Sequence, residues 1–502
     1  MSFLSAVLSV LTVASVGFTV IMILVNLHRA DRSSWVMSAL RVGMTLLSAL
    51  IALPVTKLLA GAFTDGVYET VLLAAGDGMG EFLSATPEGL DGLRVIVSMT
   101  VALFLYILVF IVVRILFTIL GVFLRRWLPA LREKTRRGLA MPLGALNGIL
   151  IVAVVLAPLC GFLSVSGSVL GDVSVSAAKC ESEEVTDLLA QFGADGRKAR
   201  KLAVEINKQP VISIVSATVG RPICAFLSGG ELELSDGSGK VIDMELERDL
   251  SAIICTYLHL TDANEAVNEE DFDAEDKSRL DNLSESVDRS EWVTIVTADA
   301  MATLAERWKQ RESFAGAGCP SVHKAAEPAF DSIMDVLTVQ TADVLPEDLP
   351  IVLDVTGDLA LSKLLSGTDD AQQLIKNVSE HDFFATVAGK LDANARFETV
   401  AGEIRLMSVR LVAAMLGEEA LKDGDHDELM LDLAAGLTAV VSSPEEESRE
   451  LLPALLEQTF ADHGYDLPQN VATEVADQML AGMGADGAIT PDELTAYLVG
   501  LA

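Results

Sequence analysis

Four stretches of this chain, 3–26, 36–60, 95–124 and 139–165, are each apolar over a length that can cross a bilayer. A transmembrane helix needs roughly 20 mostly apolar residues, because hydrocarbon offers no partner to a backbone N–H or C=O that the helix leaves unpaired. All four lie in the first third of 502 residues. The expected fold class follows: an all-α membrane protein, with four transmembrane helices (1–164) and then a large, mostly helical soluble domain. The first stretch lacks a basic start, exceeds the apolar length of a secretory signal and runs into charge, so it is expected to be a retained span.

Charge divides the chain at the same place. Of 36 Lys+Arg and 71 Asp+Glu, residues 1–164 hold 12 and 8, a net of +4; this leaves 24 and 63, a net of −39, for 165–502. The mean hydropathy of +0.43 therefore reflects the first third. A surface so acidic repels phosphate, and no basic stripe interrupts it, so nucleic acid is not an expected partner. A halophile-like solvation surface would give the same acidity.

The loops set an orientation. Arg29 and Arg32 lie between spans one and two, and Arg125, Arg126, Arg132, Lys134, Arg136 and Arg137 between spans three and four. Residues 61–93, between spans two and three, carry Asp65, Glu69, Asp77, Glu81, Glu88 and Asp91 and no Lys or Arg. The positive-inside rule predicts both basic loops in the cytoplasm and both termini outside, with Trp35 and Trp127 at the cytoplasmic interface.

Two arginines, Arg41 and Arg114, interrupt apolar runs. An Arg at the bilayer centre costs about 2.5–3.5 kcal/mol on the insertion scale, so snorkelling to the headgroups or pairing with a helix carbonyl or lipid phosphate is expected. No Asp, Glu or His lies deep in a span, which weighs against a proton or cation path. In the fourth span, Gly144, Asn147 and Gly148 form a small-xxx-small face with an amide on it. Such a face predicts close helix packing, within the module or between copies, with Asn147 hydrogen-bonding across it.

The basic entry to the second span, His28-Arg29-Ala30-Asp31-Arg32 through Arg41-Val42-Gly43, and the glycine-spaced run Arg137-Gly138-Leu139 through Gly144-Ala145-Leu146-Asn147-Gly148-Ile149-Leu150 resemble the colicin V production protein family. The resemblance covers residues 1–164. It implies a bacterial cytoplasmic-membrane protein linked to toxin production or secretion and to envelope homeostasis. Members often place a basic residue before the last glycine, where this chain has Asn147. Some relatives join a similar module to an extracytoplasmic serine protease, so a large external C-terminal domain fits that pattern.

Beyond residue 164, helical spacing dominates. Phe397, Val400, Ile404, Met407, Leu411 and Met415 share one helix face, as do Phe330, Ile333, Met334 and Leu337. Thr490-Pro491-Asp492-Glu493 predicts a capped start to a last helix over 494–501. Alternation in Glu231–Leu234, turn residues 235–239 and Lys240-Val241-Ile242 predict a β-hairpin. The acidic stretch 264–285 is expected to be a mobile linker between domains 165–263 and 286–502.

Candidate chemistry is sparse. Asp423, Asp425 and Asp427 match the first half of an EF-hand loop, and Asp486, Gly487 and Glu493 the second half of another, but neither is complete. No metal or other cofactor is expected. Cys160 is expected to be a packing residue, whereas Cys180, Cys224, Cys255 and Cys319 fall in the external domain, where one or two disulfides are possible in any of three pairings. No hydrolase, Walker or metalloprotease motif occurs, and the histidines are scattered. The expected function is a non-enzymatic anchor, in contact with membrane lipids and open to homo-oligomerisation, that presents an acidic interaction domain to a partner protein. The alternative is a transport or channel component with a pathway along the fourth helix.

Overall fold

The computed structural model describes residues 2–74, 76–84, 86–127, 137–180, 185, 220–234, 239–268, 273–309, 321–338, 345–362, 370–392, 394–442, 450–483 and 488–501. The chain forms two compact units, Met1–Leu258 with Arg289–Val296, and His259–Asp288 with Thr297–Ala502.

The first unit opens with helices α1 (Ser2–Asp31), α2 (Trp35–Ala74), α3 (Gly76–Ser84), α4 (Pro87–Trp127) and α5 (Arg137–Ala177). Of these, α1, α2, α4 and α5 are long and apolar enough to cross a membrane, and the chain is an integral membrane protein. At 40, 41 and 41 residues, α2, α4 and α5 each extend about 60 Å, twice the hydrocarbon thickness of about 30 Å. Helix α5 runs on past the expected end of the module at residue 164, and α2, α3 and the start of α4 take up most of the described part of the expected connection over 61–93. The charges there end the apolar span, but no proline interrupts 61–74, so the backbone hydrogen bonds continue past the change in polarity. Pro54, Pro142 and Pro158 lie inside these helices, as membrane helices tolerate when neighbours supply the missing partners.

The antiparallel pair α2–α4 shows how the long helices align. Met37 and Met44 pack at Gly121, the Tyr106 hydroxyl donates to the Ala49 carbonyl at 3.4 Å, and Asp65 pairs with Arg94. Trp35 therefore lies at the same end as Trp127, Arg125 and Arg126. Leu50, Leu58, Leu108, Val112, Leu116 and Val122 point outward and exposed, the faces left for lipid.

Helix α6 (Gly220–Leu227), strands β1 (Gly229–Glu233) and β2 (Val241–Glu245), and the first half of α7 (Leu246–Asn268) complete this unit. The strands pair antiparallel with Leu232 opposite Ile242, both buried. Part of the expected turn, 235–238, lies outside the described residues. Gly230 sits so close to Val95 and Met99 that a Cβ there would meet Met99 at 2.6 Å. The Lys57 ammonium donates to the Gly229 carbonyl at 3.0 Å and lies 4.5 Å from the centre of the Phe226 ring. Trp292, fully buried, lies over Gly92 and donates through Nε1 to the Glu88 carbonyl at 3.0 Å.

In the second unit, α8 (Ala274–Val287) packs on α11 (Leu345–Leu361); between them in sequence come α9 (Glu291–Lys309), whose first residues to Val296 belong to the first unit, and α10 (Ser321–Thr338). Helices α12 (Ala371–Glu380) and α13 (Phe383–Leu391) and a 3-10 turn (Ala395–Phe397) lead to α14 (Glu398–Leu416). Then come α15 (Glu418–Asp423), α16 (Asp427–Val441), α17 (Leu452–Asp462), α18 (Gln469–Gly482) and α19 (Pro491–Leu501). Helix α14 is the axis of this unit and touches α10, α13, α18 and α19. Its predicted stripe of Val400, Ile404, Met407 and Leu411 is buried, but so are Ala401, Ser408, Val409 and Val412 on its other faces. Met415 is only half-buried and Leu416 takes the buried place. At α19 the Thr490 hydroxyl accepts from Glu493 N at 3.3 Å while Glu493 accepts from Thr490 N at 3.0 Å, the reciprocal box its sequence predicts.

The expected linker at 264–285 is corrected. Helix covers 264–268 and 274–285, and residues 269–272 lie outside the described set. Asp273 caps α8 in a reciprocal box with Asp276, and Leu280, Leu283 and Val287 step by three and four into the core. Asp276 and Arg279 are buried with them and pair at 3.2 Å, so the acidic composition is met partly by an ion pair inside the fold.

Candidate intramembrane polar site

Glycine brings the first and fourth spans into backbone contact. A Cβ on Gly144 would lie 2.5 Å from the Ala30 Cβ and 2.8 Å from the Asn26 carbonyl; one on Gly148 would lie 2.9 Å from the Ile23 Cα. The small-xxx-small face of α5 is therefore occupied by α1 of the same chain.

This approach lets short polar side chains meet across three helices. Asn147 donates through Nδ2 to Asn26 Oδ1 at 2.7 Å, and Asn26 donates to the Met22 carbonyl at 2.8 Å. The Thr45 hydroxyl lies 2.6 Å from Asn147 Oδ1 and 2.9 Å from the Arg41 carbonyl, and its single proton serves one of them at a time. All three side chains are buried. Thr45 and Asn147 each stand ten residues, about 15 Å, along their helices from Trp35 and Arg137. That is half the thickness of a hydrocarbon layer of about 30 Å, and within an apolar span an unpaired amide is costly and a paired one joins helices.

The two arginines continue the network toward the basic end. Arg41 donates to Ser33 Oγ at 3.3 Å and the Arg29 carbonyl at 3.4 Å, at the turn between α1 and α2. Arg114 donates to the Arg41 carbonyl at 3.5 Å. Arg41 thus reaches toward the interface, whereas Arg114 rests on a helix carbonyl deeper in the module. Both are half-buried. The network contains no carboxylate or imidazole, so it offers hydrogen bonds and positive charge but no group that exchanges protons near neutral pH.

Sequence reasoning singled out Gly144, Asn147, Gly148, Arg41 and Arg114, which the fold brings together, but missed Asn26 and Thr45. Their signal was present: each is a hydrogen-bonding residue in an apolar run, and Asn26 precedes the small Ala30 by one helical turn. Arg125 and Arg126 close α4 as exposed side chains and Arg137 begins α5, while Arg132, Lys134 and Arg136 lie outside the described residues.

The remaining candidates separate. Cys180, Cys224 and Cys255 are not joined to one another. Cys180 faces the Ser176 carbonyl at 3.4 Å, Cys224 donates to the Ala157 carbonyl at 3.0 Å against Gly161, and Cys255 is buried on α7. Cys319 lies outside the described residues. Asp423, Asp425 and Asp427 form the turn between α15 and α16, where Gly424 adopts a left-handed φ of 81° as a helix C-cap. Asp486 and Gly487 lie outside the described residues. Among the described residues no three His, Cys, Asp or Glu side chains gather as a metal site would require.

Two further clusters escaped the sequence reading. Asp249, fully buried, accepts from Glu245 N at 2.6 Å, Ser290 Oγ at 2.8 Å and Arg248 Nε at 2.8 Å, and so ties β2 and α7 to residue 290. In the second unit Lys277 and Lys390 both bridge Asp354 and Asp358, at 2.5–2.7 Å. Burial opposes the charge on Asp354, but hydrogen bonds from Lys277 and Lys390 outweigh it and hold its carboxyl below the usual range. Burial likewise opposes the charge on Lys277, and its bonds to Asp354 and Asp358 outweigh that and raise it. Asp281 is raised by burial and by the neighbouring Asp354 charge.

No protein-family model, curated protein or solved structure matches this chain.

Proposed function

We propose that the chain is a non-enzymatic anchor of the bacterial cytoplasmic membrane, of the colicin V production type, that presents an acidic helical domain outside the cell to a partner protein. A part in toxin production, secretion or envelope homeostasis follows from the resemblance of residues 1–164. The observation that carries the anchor reading is the Asn26–Thr45–Asn147 network: three buried polar side chains of the spans are bonded to one another and join helices. The basic ends near Arg29, Arg32, Arg125 and Arg126 face the cytoplasm in this reading, and both termini lie outside. The acidity of residues 165–502, at −39, then favours a basic partner surface.

Photo-crosslinkers placed on exposed acidic positions of the second unit, such as Asp432, test this in membranes holding the full chain. The anchor reading predicts discrete envelope-protein adducts that persist in Arg114→Leu. A transport component along α5 instead predicts that Arg114→Leu and Asn147→Leu abolish solute flux while assembly is normal.

A further inference from the structure

We propose that Arg41 and Arg114 together bind a phosphate group at the α2–α4 face beside the α1–α2 turn. Each guanidinium carries five N–H donors, yet Arg41 spends its own on a carbonyl and a hydroxyl at 3.3–3.4 Å, and Arg114 has one contact at 3.5 Å. These lengths are at the weak end for charged donors, which bond at about 2.7–2.9 Å to an ionised acceptor. Among the described residues, neither forms an ion pair with a carboxylate. Nearby charge is of the same sign: Arg29 and Arg125 act on Arg41, and Arg41 and Arg29 act on Arg114.

Two half-buried charges of like sign with spare donors, one resting on the other's backbone carbonyl, suit an anion. The planar fork of arginine matches phosphate oxygens in pairs. Arg41 stands six residues, about 9 Å, from Trp35, within reach of the headgroup layer for a snorkelling side chain. Ser33 Oγ, which accepts from Arg41, lies 3.2 Å from the Ala30 carbonyl and 3.3 Å from Ser38 Oγ, so the α1–α2 turn holds Arg41 in place with neutral groups. The phosphate can come from an anionic phospholipid or from free phosphate, and the chemistry of the site is the same for both.

This inference rests on α1, α2, α4 and α5 crossing the bilayer, which alkaline carbonate extraction of the full chain from membranes checks separately. The site itself is tested with the full chain purified in uncharged detergent. Phosphatidylglycerol and the diacylglycerol of matching chains are offered in turn, and adducts are counted by native mass spectrometry. The wild type is expected to retain phosphatidylglycerol and not diacylglycerol. The Arg41→Gln/Arg114→Gln double variant should retain it about tenfold less, and Arg41→Lys/Arg114→Lys should fall between. In a second arm inorganic phosphate replaces lipid: a rise in unfolding temperature that the double variant loses assigns the site to free phosphate, and a rise with phosphatidylglycerol alone assigns it to lipid. Equal retention of phosphatidylglycerol by wild type and a folded double variant overturns the proposal. So does a wild type that prefers phosphatidylglycerol no more than diacylglycerol and gains nothing from phosphate, a result that needs no variant to fold.

Discussion

The two polar clusters of this molecule solve the same problem in opposite ways. In the membrane module, Asn26, Thr45 and Asn147 join three helices with neutral groups, at 2.6–2.7 Å, beside glycines that let the backbones touch. In the second unit, Lys277, Lys390, Asp354 and Asp358 join helices with full charges. The difference is the solvent. Where hydrocarbon surrounds the helices, an ion is expensive and a short amide suffices. Where water still reaches the side chains, as it does for Lys390 at 27 % exposure, charge can be kept if it alternates in sign.

The largest break should come from steric loss of the glycine contact. Gly148→Leu puts a side chain where Ile23 Cα would lie 2.9 Å from its Cβ, against backbone that cannot yield. Separation of α1 from α5 is expected, with destabilisation of about 3 kcal/mol or more, read as loss of a crosslink between cysteines placed at the facing ends of the two helices. A retained crosslink would mean that α1 binds elsewhere.

Next is the charge cluster. Asp358→Ala leaves two ammoniums sharing Asp354, and breaking a buried pair costs about 3–5 kcal/mol. Discounted for solvent that reaches both lysines, about 2 kcal/mol is expected, seen as faster amide exchange confined to α8, α11 and α13 of the full chain. The same cluster sets a pH window. The depressed carboxyl of Asp354 contributes stability above the ordinary Asp range and loses it as pH falls through its folded value. The raised ammonium of Lys277 contributes below the ordinary Lys range and loses it as pH rises through its folded value. Asp281 acts the other way, gaining as acid protonates it. Protection of α8 amides, corrected for intrinsic exchange at each pH, should therefore be greatest across the middle of the range and fall at both extremes.

Asn147→Leu should have a smaller effect, about 1 kcal/mol, because polar contacts between membrane helices average less than their appearance suggests. Thr45→Val combined with Asn147→Leu should be less than additive, since the two side chains share one hydrogen bond. Strict additivity would mean that the network is not a unit. The smallest change is Thr490→Ala, which removes the cap of α19 and should fray its first turn, read by exchange at Asp492 and Glu493.

The sequence made the four spans, the hairpin strands, the α14 stripe and the α19 cap legible because each rests on neighbours in the chain: apolar length, alternation, helical spacing, a cap and its partner three residues on. What it hid depends on residues far apart. Asn26 and Asn147 are 121 positions apart, and Lys277 lies 81 from Asp358. The helix over 274–285 was misread because composition shows neither the spacing of Leu280, Leu283 and Val287 nor the pairing of Asp276 with Arg279. The ends of the long helices were misread because a change in hydropathy marks the end of an apolar span and not of a helix.

The account turns on which side of the membrane each end of the module faces. Single cysteines at Arg126 and at Asp432, in a full chain whose native cysteines are replaced by serine, can be probed on intact cells with a membrane-impermeant maleimide. The account predicts that Asp432→Cys is labelled from outside and Arg126→Cys only after permeabilisation. Labelling of Arg126→Cys from outside, with Asp432→Cys protected, would contradict it.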